Sequence, residues 1–227
     1  MNNNKIYAVI VAGGKGTRMG NKIPKQFLHL MGMPVLCHSV LAFKHAFKQI
    51  KIIIVAPEDD VDSAETILKS YLPKINITIV TGGDTRFQSV KNGLNAITGN
   101  GIVFIHDAAR PLLSQDVIQR CFECTMENGN AIPAVSVVDS IRMVDDHGNT
   151  VPLNRDKVKI IQTPQTFRTE VIIPAFKQEY STSFTDEATV LEAMGGKIHL
   201  VQGDLDNIKI TNPTDLQLAD IILKSSM

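Results

Sequence analysis

The chain has 227 residues and a mass of 24.9 kDa, with 44% hydrophobic and 20% charged residues. This composition is typical of a globular protein with one good-sized core, and it excludes a disordered chain or a fibrous repeat. The 23 basic residues equal the 23 acidic ones, so the whole molecule has no electrostatic attraction to nucleic acid or to a membrane surface.

The N-terminal region lacks the pattern of a targeting or membrane segment. Its apolar runs, such as Ile52 to Ala56, are far shorter than the about 18 residues that a membrane span needs. The start, MNNNKIY, is too polar for a signal peptide. Three cysteines, an odd number, argue against a disulfide framework. We therefore predict a cytoplasmic protein with reduced thiols and with neither a membrane nor a nucleic-acid partner.

Charge is distributed unevenly along the chain. Residues 1–57 contain no Asp or Glu, and the first acid is Glu58. The basic residues of this segment could form a solvated helix face or a site for a polyanionic ligand. Four of them fall between positions 15 and 25, which favours a small phosphorylated ligand. The segment's basic residues are Lys5, Lys15, Arg18, Lys22, Lys25, Lys44, Lys48 and Lys51.

Strands and helices alternate through the first half of the chain. Short β-branched apolar runs predict buried strands, and apolar residues at helical spacing predict helices between them. This alternation predicts an α/β fold, with a mostly parallel, Rossmann-like twisted sheet and helices on both faces. The predicted strands are Lys5–Ala12, Lys51–Ala56, Ile75–Val80 and Gly101–His106, and the predicted helices start at Pro34, after Asp59 or Asp60 (about 61–72), at about 86–97, and at Ser114 or Asp116 to about 128.

Residues 139–157 interrupt this alternation. DSIRMV and TVPLN flank a turn signal at 145–148, which predicts a β-hairpin. Two strands bury little alone, so the hairpin packs on its own sheet or on a second subunit, and we favour a homodimer through an arm at about 137–157. The rest predicts helices at about 168–178 and from Thr185, a strand over Lys197–Gln202, and a last helix capped by Asn212 with Pro213 first. We predict one domain spanning residues 1–227.

Polar loops at the strand ends carry the candidate chemistry. Gly13, Gly14 and Gly16 follow the first strand, where they either bring backbone N–H groups to a phosphate or only form a tight turn. The pattern is neither a dinucleotide fingerprint nor a Walker loop. Asp107 ends a buried strand, where it either binds Mg²⁺ or closes a turn and pairs with Arg110. Nothing in the sequence indicates a covalent nucleophile.

Seven motifs, in order, then carry a resemblance: GGKGTRM, PKQF, GGDTRFQSV, HDAARP, TPQTF, TDEATVLE and DNIKIT. Together they resemble the 2-C-methyl-D-erythritol 4-phosphate cytidylyltransferase family, over nearly the whole chain. The resemblance implies transfer of a cytidylyl group from CTP to the phosphate of methylerythritol phosphate, with release of pyrophosphate and a need for Mg²⁺. The nucleophile is already ionised near neutral pH, so charge neutralisation and alignment would suffice without a general base.

The resemblance also implies roles for individual residues. Cations on the triphosphate are Arg18 and Lys25, and Lys209 stabilises charge at the α-phosphate. Asp107 is the metal ligand, with Asp206 as a second carboxylate near the metal. The nucleotide loop comprises Ala12, Gly13, Gly14 and Gly16, while Gly83, Asp84 and Ser89 face the base and ribose.

For the second substrate, the resemblance implies that Arg155, reaching over from the partner's arm, and Thr163 hold the phosphate. Arg110, Ser140 and Thr185 complete the substrate set; Ser140 stands where the family leads us to expect Thr. Three alternatives remain open at this point: a ribitol 5-phosphate cytidylyltransferase, a sugar 1-phosphate nucleotidyltransferase and a nucleotide-binding module without turnover.

Overall fold

The computed structural model describes residues 5–14 and 23–225. The strands in these ranges are β1 Lys5–Val11, β2 His29–Leu30, β3 Met33–Pro34, β4 Lys51–Ala56, β5 Ile77–Thr81, β6 Gly101–Asp107, β7 Asn130–Ser136, β8 Arg142–Val144, β9 Thr150–Pro152, β10 Lys159–Ile161, β11 Gln165–Arg168 and β12 Leu200–Gln202. The helices are α1 Val35–Ala46, α2 Val61–Tyr71, α3 Arg86–Asn95, α4 Gln115–Asn128, α5 Thr169–Ala175, α6 Glu187–Ala193 and α7 Pro213–Ser225. The described part of the chain contains no helix long and apolar enough to cross a bilayer.

A central sheet of eight strands organises this part of the chain. Its order is β10-β7-β11-β6-β1-β4-β5, and β12 pairs with β7. Strands β6, β1, β4 and β5 run parallel to one another, as the alternating pattern predicts. The other half is mixed, because β11 runs antiparallel between β6 and β7. The prediction of a mostly parallel α/β sheet is confirmed, with β11 and β10 as antiparallel insertions.

The parallel half is apolar on both faces, which explains its continuous apolar strands. In β1, Ala8 and Ile10 pack in the cluster that contains α1 and α4, whereas Tyr7 and Val9 pack in the cluster that contains α3, α5 and α6. Helix α3 lies close to the sheet at Gly93, where an added Cβ would stand 2.6 Å from a methyl of Val9 and 2.8 Å from one of Val55.

Several predicted boundaries need correction: β5 begins at Ile77 rather than Ile75, β12 at Leu200 rather than Lys197, and α6 at Glu187 rather than Thr185. The start of α2 after Asp60 is confirmed, although the Asp60 side chain accepts no capping hydrogen bond. Just before α7, the backbone N–H groups of Thr211 and Asn212 donate to the Asp215 carboxylate, at 2.7 Å and 2.8 Å. Pro213 is the first residue of α7, as predicted. The start of α4 at Ser114 is confirmed by a hydrogen bond from the Val117 N–H to its hydroxyl, and α6 is capped by Asp186, which accepts the Thr189 N–H.

The predicted hairpin is present as β8 and β9, which pair with each other in antiparallel register. Every residue of both strands is exposed, including the apolar side chains of Met143, Val144 and Val151. The hairpin is therefore an excursion that leaves apolar surface uncovered within one chain.

Candidate active site

A cavity of about 670 Å³ opens at the carboxyl edge of the parallel strands. Loops after β1, β4, β5 and β6 form its wall, as expected for a ligand site in an open α/β sheet. It brings together most of the predicted nucleotide and catalytic residues, namely Ala12, Gly13, Gly14, Lys25, Gly83, Asp84, Ser89, Asp107 and Lys209. The predicted Gly16 and Arg18 lie outside the described residues.

Asp107 is the buried carboxylate of this cavity, and each of its oxygens has a cationic partner. Its Oδ2 is 2.7 Å from Lys209 Nζ, and its Oδ1 is 3.3 Å from an Nη of Arg86. Burial alone would raise the pKa of Asp107, but the charges of Arg86 and Lys209 hold it well below its usual range. The alternative that Asp107 pairs with the Arg110 side chain is wrong, although the Asp107 carbonyl does accept the Arg110 N–H at 3.0 Å.

Arg86 bridges Asp107 to a second carboxylate that the sequence analysis did not identify. Its guanidinium binds Glu187 through two N–H groups, one of them 3.2 Å from Oε2, and Glu187 is completely buried at the start of α6. Burial raises the pKa of Glu187, and the Arg86 charge opposes that rise. Both residues fall in quoted motifs, GGDTR and TDEAT, but their separation of 101 positions gave no sign of contact.

A buried hydrogen-bond chain fixes the backbone of Asp107. His106 Nε2 lies 3.1 Å from the Arg110 carbonyl, which can only accept, so this nitrogen carries the hydrogen. His106 Nδ1 then accepts from the Thr163 hydroxyl at 3.0 Å, and the same hydroxyl oxygen accepts the Asp107 N–H at 3.1 Å. The hydroxyl hydrogen of Thr163 is therefore committed to His106, and its proposed contact with a second substrate stays a prediction.

Gly13, Gly14, Gly82 and Gly83 line the cavity and form what we call its glycine-rich wall. Neighbouring side chains hold this wall in place. Gln26, which is buried, donates from Nε2 to the Ala12 carbonyl at 2.7 Å. Gly14 has a φ of +145°, a conformation that favours glycine. Across the cavity, Ser89 Oγ accepts the Gly83 N–H at 3.1 Å. These contacts shape a rigid backbone surface, the kind of surface that approaches a nucleotide closely.

The remaining predicted residues do not line this cavity. Arg110 is turned to the loop before Lys209, where it donates to the Asn207 carbonyl at 2.7 Å. Arg155 lies on the exposed segment after the hairpin and donates to the Val138 carbonyl at 2.6 Å. The other exposed members of the predicted set are Ser140, Thr185 and Asp206. These residues do not meet at the cavity within one chain, so their roles toward substrate or metal stay predictions.

Comparison with known proteins identifies the family. The sequence profile of 2-C-methyl-D-erythritol 4-phosphate cytidylyltransferase matches residues 6–225. The chain belongs to this family. It is 41% identical over 219 residues to the Bacteroides thetaiotaomicron enzyme of that name, covering 96% of this chain and 100% of the relative. The Bacteroides fragilis enzyme is 43% identical over 216 residues, with 95% and 98% covered.

Solved structures agree with this assignment. The crystal structure of 4-diphosphocytidyl-2C-methyl-D-erythritol synthase from Anaerococcus prevotii superposes with a TM-score of 0.83 at 30% identity, covering 97% of this chain and 99% of that one. The Rossmann-like fold is thus shared with this family over the full sheet.

Stability should depend on pH through His106. Burial lowers the pKa of His106 from 6.5 to about 4, so between these values the unfolded state binds a proton that the folded state does not. The free energy of unfolding should therefore fall as pH drops from 6.5 to 4, by at most about 3 kcal/mol from this residue. Urea unfolding at several pH values measures the slope.

The control for this prediction is His106→Asn, compared by its slope rather than its absolute stability because two hydrogen bonds are lost. Burial also lowers the pKa of His38, so part of the slope remains in the variant. An identical slope in both proteins would show that His106 is not the titrating group.

Proposed function

We propose that the protein transfers the cytidylyl group of CTP to the phosphate of 2-C-methyl-D-erythritol 4-phosphate, releasing pyrophosphate, as a cytoplasmic nucleotidyltransferase of isoprenoid biosynthesis. The observation that carries the proposal is the meeting of Asp107 and Lys209 with the glycine-rich wall in one cavity, in a chain that the family profile covers over residues 6–225. The cavity's volume of about 670 Å³ is in the range of ligand pockets.

Catalysis then consists of alignment and charge neutralisation. The substrate phosphate is largely ionised near pH 7 and attacks the α-phosphorus as pyrophosphate leaves, so no protein base has to take a proton. Lys25 and Lys209 line the cavity from different loops and can contact phosphates from two sides. Arg18 is the third cation that we assign to the triphosphate. Backbone groups at Gly13 and Gly83 would bind the nucleotide.

The residues present fit a magnesium ion. The described part of the chain holds no cluster of three or more metal-ligating side chains. Mg²⁺ in nucleotide sites commonly takes one or two carboxylates and completes its coordination with phosphates and water. Asp107, which lines the cavity, would hold the ion, and the ion would offset phosphate charge. Asp206 is exposed and does not line the cavity, so its role as the second carboxylate stays a prediction. In this structure the Oδ2 atom of Asp107 is held by Lys209.

We further propose a homodimer formed through the hairpin arm, with Arg155 reaching the partner's site. The apolar side chains of Met143 and Val144 are 56% and 61% exposed, more than a monomeric hairpin would favour. A dimer would cover them and bring Arg155 and Ser140 toward Thr163, Arg110 and Thr185 of the other chain. Together these residues would bind the polyol phosphate.

Pyrophosphate release tests the proposed function directly. CTP, UTP and ATP are each combined with methylerythritol phosphate, ribitol 5-phosphate and glucose 1-phosphate, in Mg²⁺ and again in EDTA. We expect turnover only with CTP and methylerythritol phosphate, abolished by chelation. Turnover with ribitol 5-phosphate alone would reassign the substrate, and CTP binding without any turnover would indicate a nucleotide-binding module.

The catalytic role of Lys209 predicts a specific kinetic loss. In Lys209→Ala, kcat should fall about a hundredfold or more, because one cation on the developing charge is removed. Steady-state kinetics with both substrates measure the effect. Lys224→Ala is the matched control, since Lys224 is an exposed lysine that pairs with Asp220 on α7. Full turnover by Lys209→Ala would refute the role.

The arm proposal predicts a coupled change in assembly and substrate binding. Val144→Asp should shift the protein from dimer to monomer in analytical ultracentrifugation, because a charge would be buried in the interface. It should also raise KM for methylerythritol phosphate about tenfold, with little change in the Kd for CTP. Leu218→Asp, which places a charge on the exposed face of α7, is the control. Equal losses for both ligands would contradict the arm's role.

A further inference from the structure

Four side chains alternate in charge from the core to the cavity. Glu187 binds Arg86, Arg86 binds Asp107, and Asp107 binds Lys209. Their side-chain exposures are 0%, 31%, 11% and 41%, so the chain begins at a completely buried carboxylate and ends at a cation on the cavity wall. We call these four residues the charge chain.

Fold stability does not account for the buried end of the charge chain. Removing a carboxylate from water is unfavourable, and an ion pair inside a protein commonly stabilises the fold no better than a well-packed apolar pair. The start of α6 does not need Glu187 either, because Asp186 and Thr189 already form a capping box there. Glu187 has no other salt bridge within the described ranges.

The surroundings hold Glu187 firmly in place. Gln165, on β11, donates to the Asp186 carboxylate at 2.9 Å and accepts the Ala188 N–H at 2.8 Å. These bonds hold the Asp186 side chain and the Ala188 backbone, on either side of Glu187. With Glu187 fixed, its two contacts with Arg86 set the plane of the guanidinium, since the fork of N–H groups is rigid.

That plane decides which oxygen of Asp107 faces the cavity. Arg86 approaches Oδ1 with Nε at 3.4 Å and an Nη at 3.3 Å, which leaves Oδ2 for Lys209. Glu187 also offsets the charge of Arg86. Asp107 therefore keeps a negative charge toward Lys209, rather than being neutralised from behind.

We propose that Glu187 and Arg86 are positioning residues that act through Asp107 to place Lys209 for the reaction. The inference rests on the proposed function, in which Lys209 neutralises charge at the α-phosphate. Glu187 is completely buried and does not line the cavity, and Arg86, which does line it, acts through its contact with Asp107. Their effect should appear in the chemical step and depend on Lys209 being present.

The test is a double-mutant cycle on turnover. Glu187→Gln keeps the shape and removes the charge, and it should lower kcat about tenfold while each KM changes less than twofold. In the Lys209→Ala background the same substitution should change kcat less than twofold, because the group it positions is gone. If the double variant lost kcat by the product of the two single losses, the proposal would be overturned. An unchanged kcat in Glu187→Gln would overturn it as well.

Two controls separate positioning from general damage. Glu170→Gln removes an exposed carboxylate from the first turn of α5 and should leave kcat unchanged. Asn130→Ala removes the hydrogen bonds that a buried side chain at the start of β7 makes to the Lys197 carbonyl and the His199 N–H, and it should lower the Tm without lowering kcat. A loss of kcat in Asn130→Ala equal to that in Glu187→Gln would show that destabilisation alone explains the result.

Arg86→Lys provides the second route if Glu187→Gln does not fold. It keeps the positive charge and loses the fork, so kcat should still fall about tenfold, again only when Lys209 is present. Wild-type kcat in Arg86→Lys would overturn the positioning role. Absence of turnover in the wild-type protein would instead refute the proposed function, so the two failures are distinguishable.

Discussion

A carboxylate buried at the end of a central strand must have positive partners, and Asp107 sets this requirement for the whole site. Two cations meet it, Arg86 from the start of α3 and Lys209 from the loop before α7. Their residues are far apart in the chain, so the requirement is satisfied only when the sheet, α3 and the C-terminal segment are all assembled. The charge of Asp107 is therefore compensated only in the completely folded protein.

The antiparallel strands β10 and β11, and the segment between them, also support the end of β6, where Asp107 lies. Strands β10 and β11 both pair with β7, but their registers differ by two residues. In the segment between them, the Gln162 side chain donates to the Asp204 carbonyl in a loop, and the Thr163 hydroxyl bonds to His106 on β6. Thr163 reaches the backbone of Asp107 in this way. A purely parallel sheet would not offer such a support under the end of β6.

Sequence reasoning succeeded where one strong physical signal dominated. Strand β4 was predicted to the residue, and β1 and β6 to within one residue at their ends, because both faces are buried and the apolar runs are continuous. Strand β11, QTFR, has neither apolar alternation nor a long run, so its pairing is decided by its neighbours and was missed. Strand β7 was missed for another reason: its apolar run contains Pro133, and proline is disfavoured within a sheet.

The candidate site divides along similar lines. Motif resemblance placed Lys25, Asp107 and Lys209 correctly at one cavity. It did not reveal the contact of Arg86 with Glu187, because that contact depends on how α3 and α6 pack across the sheet rather than on any local spacing. The contacts that we propose across the arm would depend on a second chain, which the pattern of one chain does not encode.

The close approach of α3 at Gly93 has a geometric consequence for this arrangement. Gly93 and Arg86 belong to the same ten-residue helix. The position of Arg86 therefore depends on how Gly93 packs against the methyl groups of Val9 and Val55. Any widening of that contact would tilt the helix and carry the guanidinium away from Asp107. The distance between Arg86 and Asp107 at the sheet edge therefore depends on how closely α3 packs on the uncharged side chains of the apolar core.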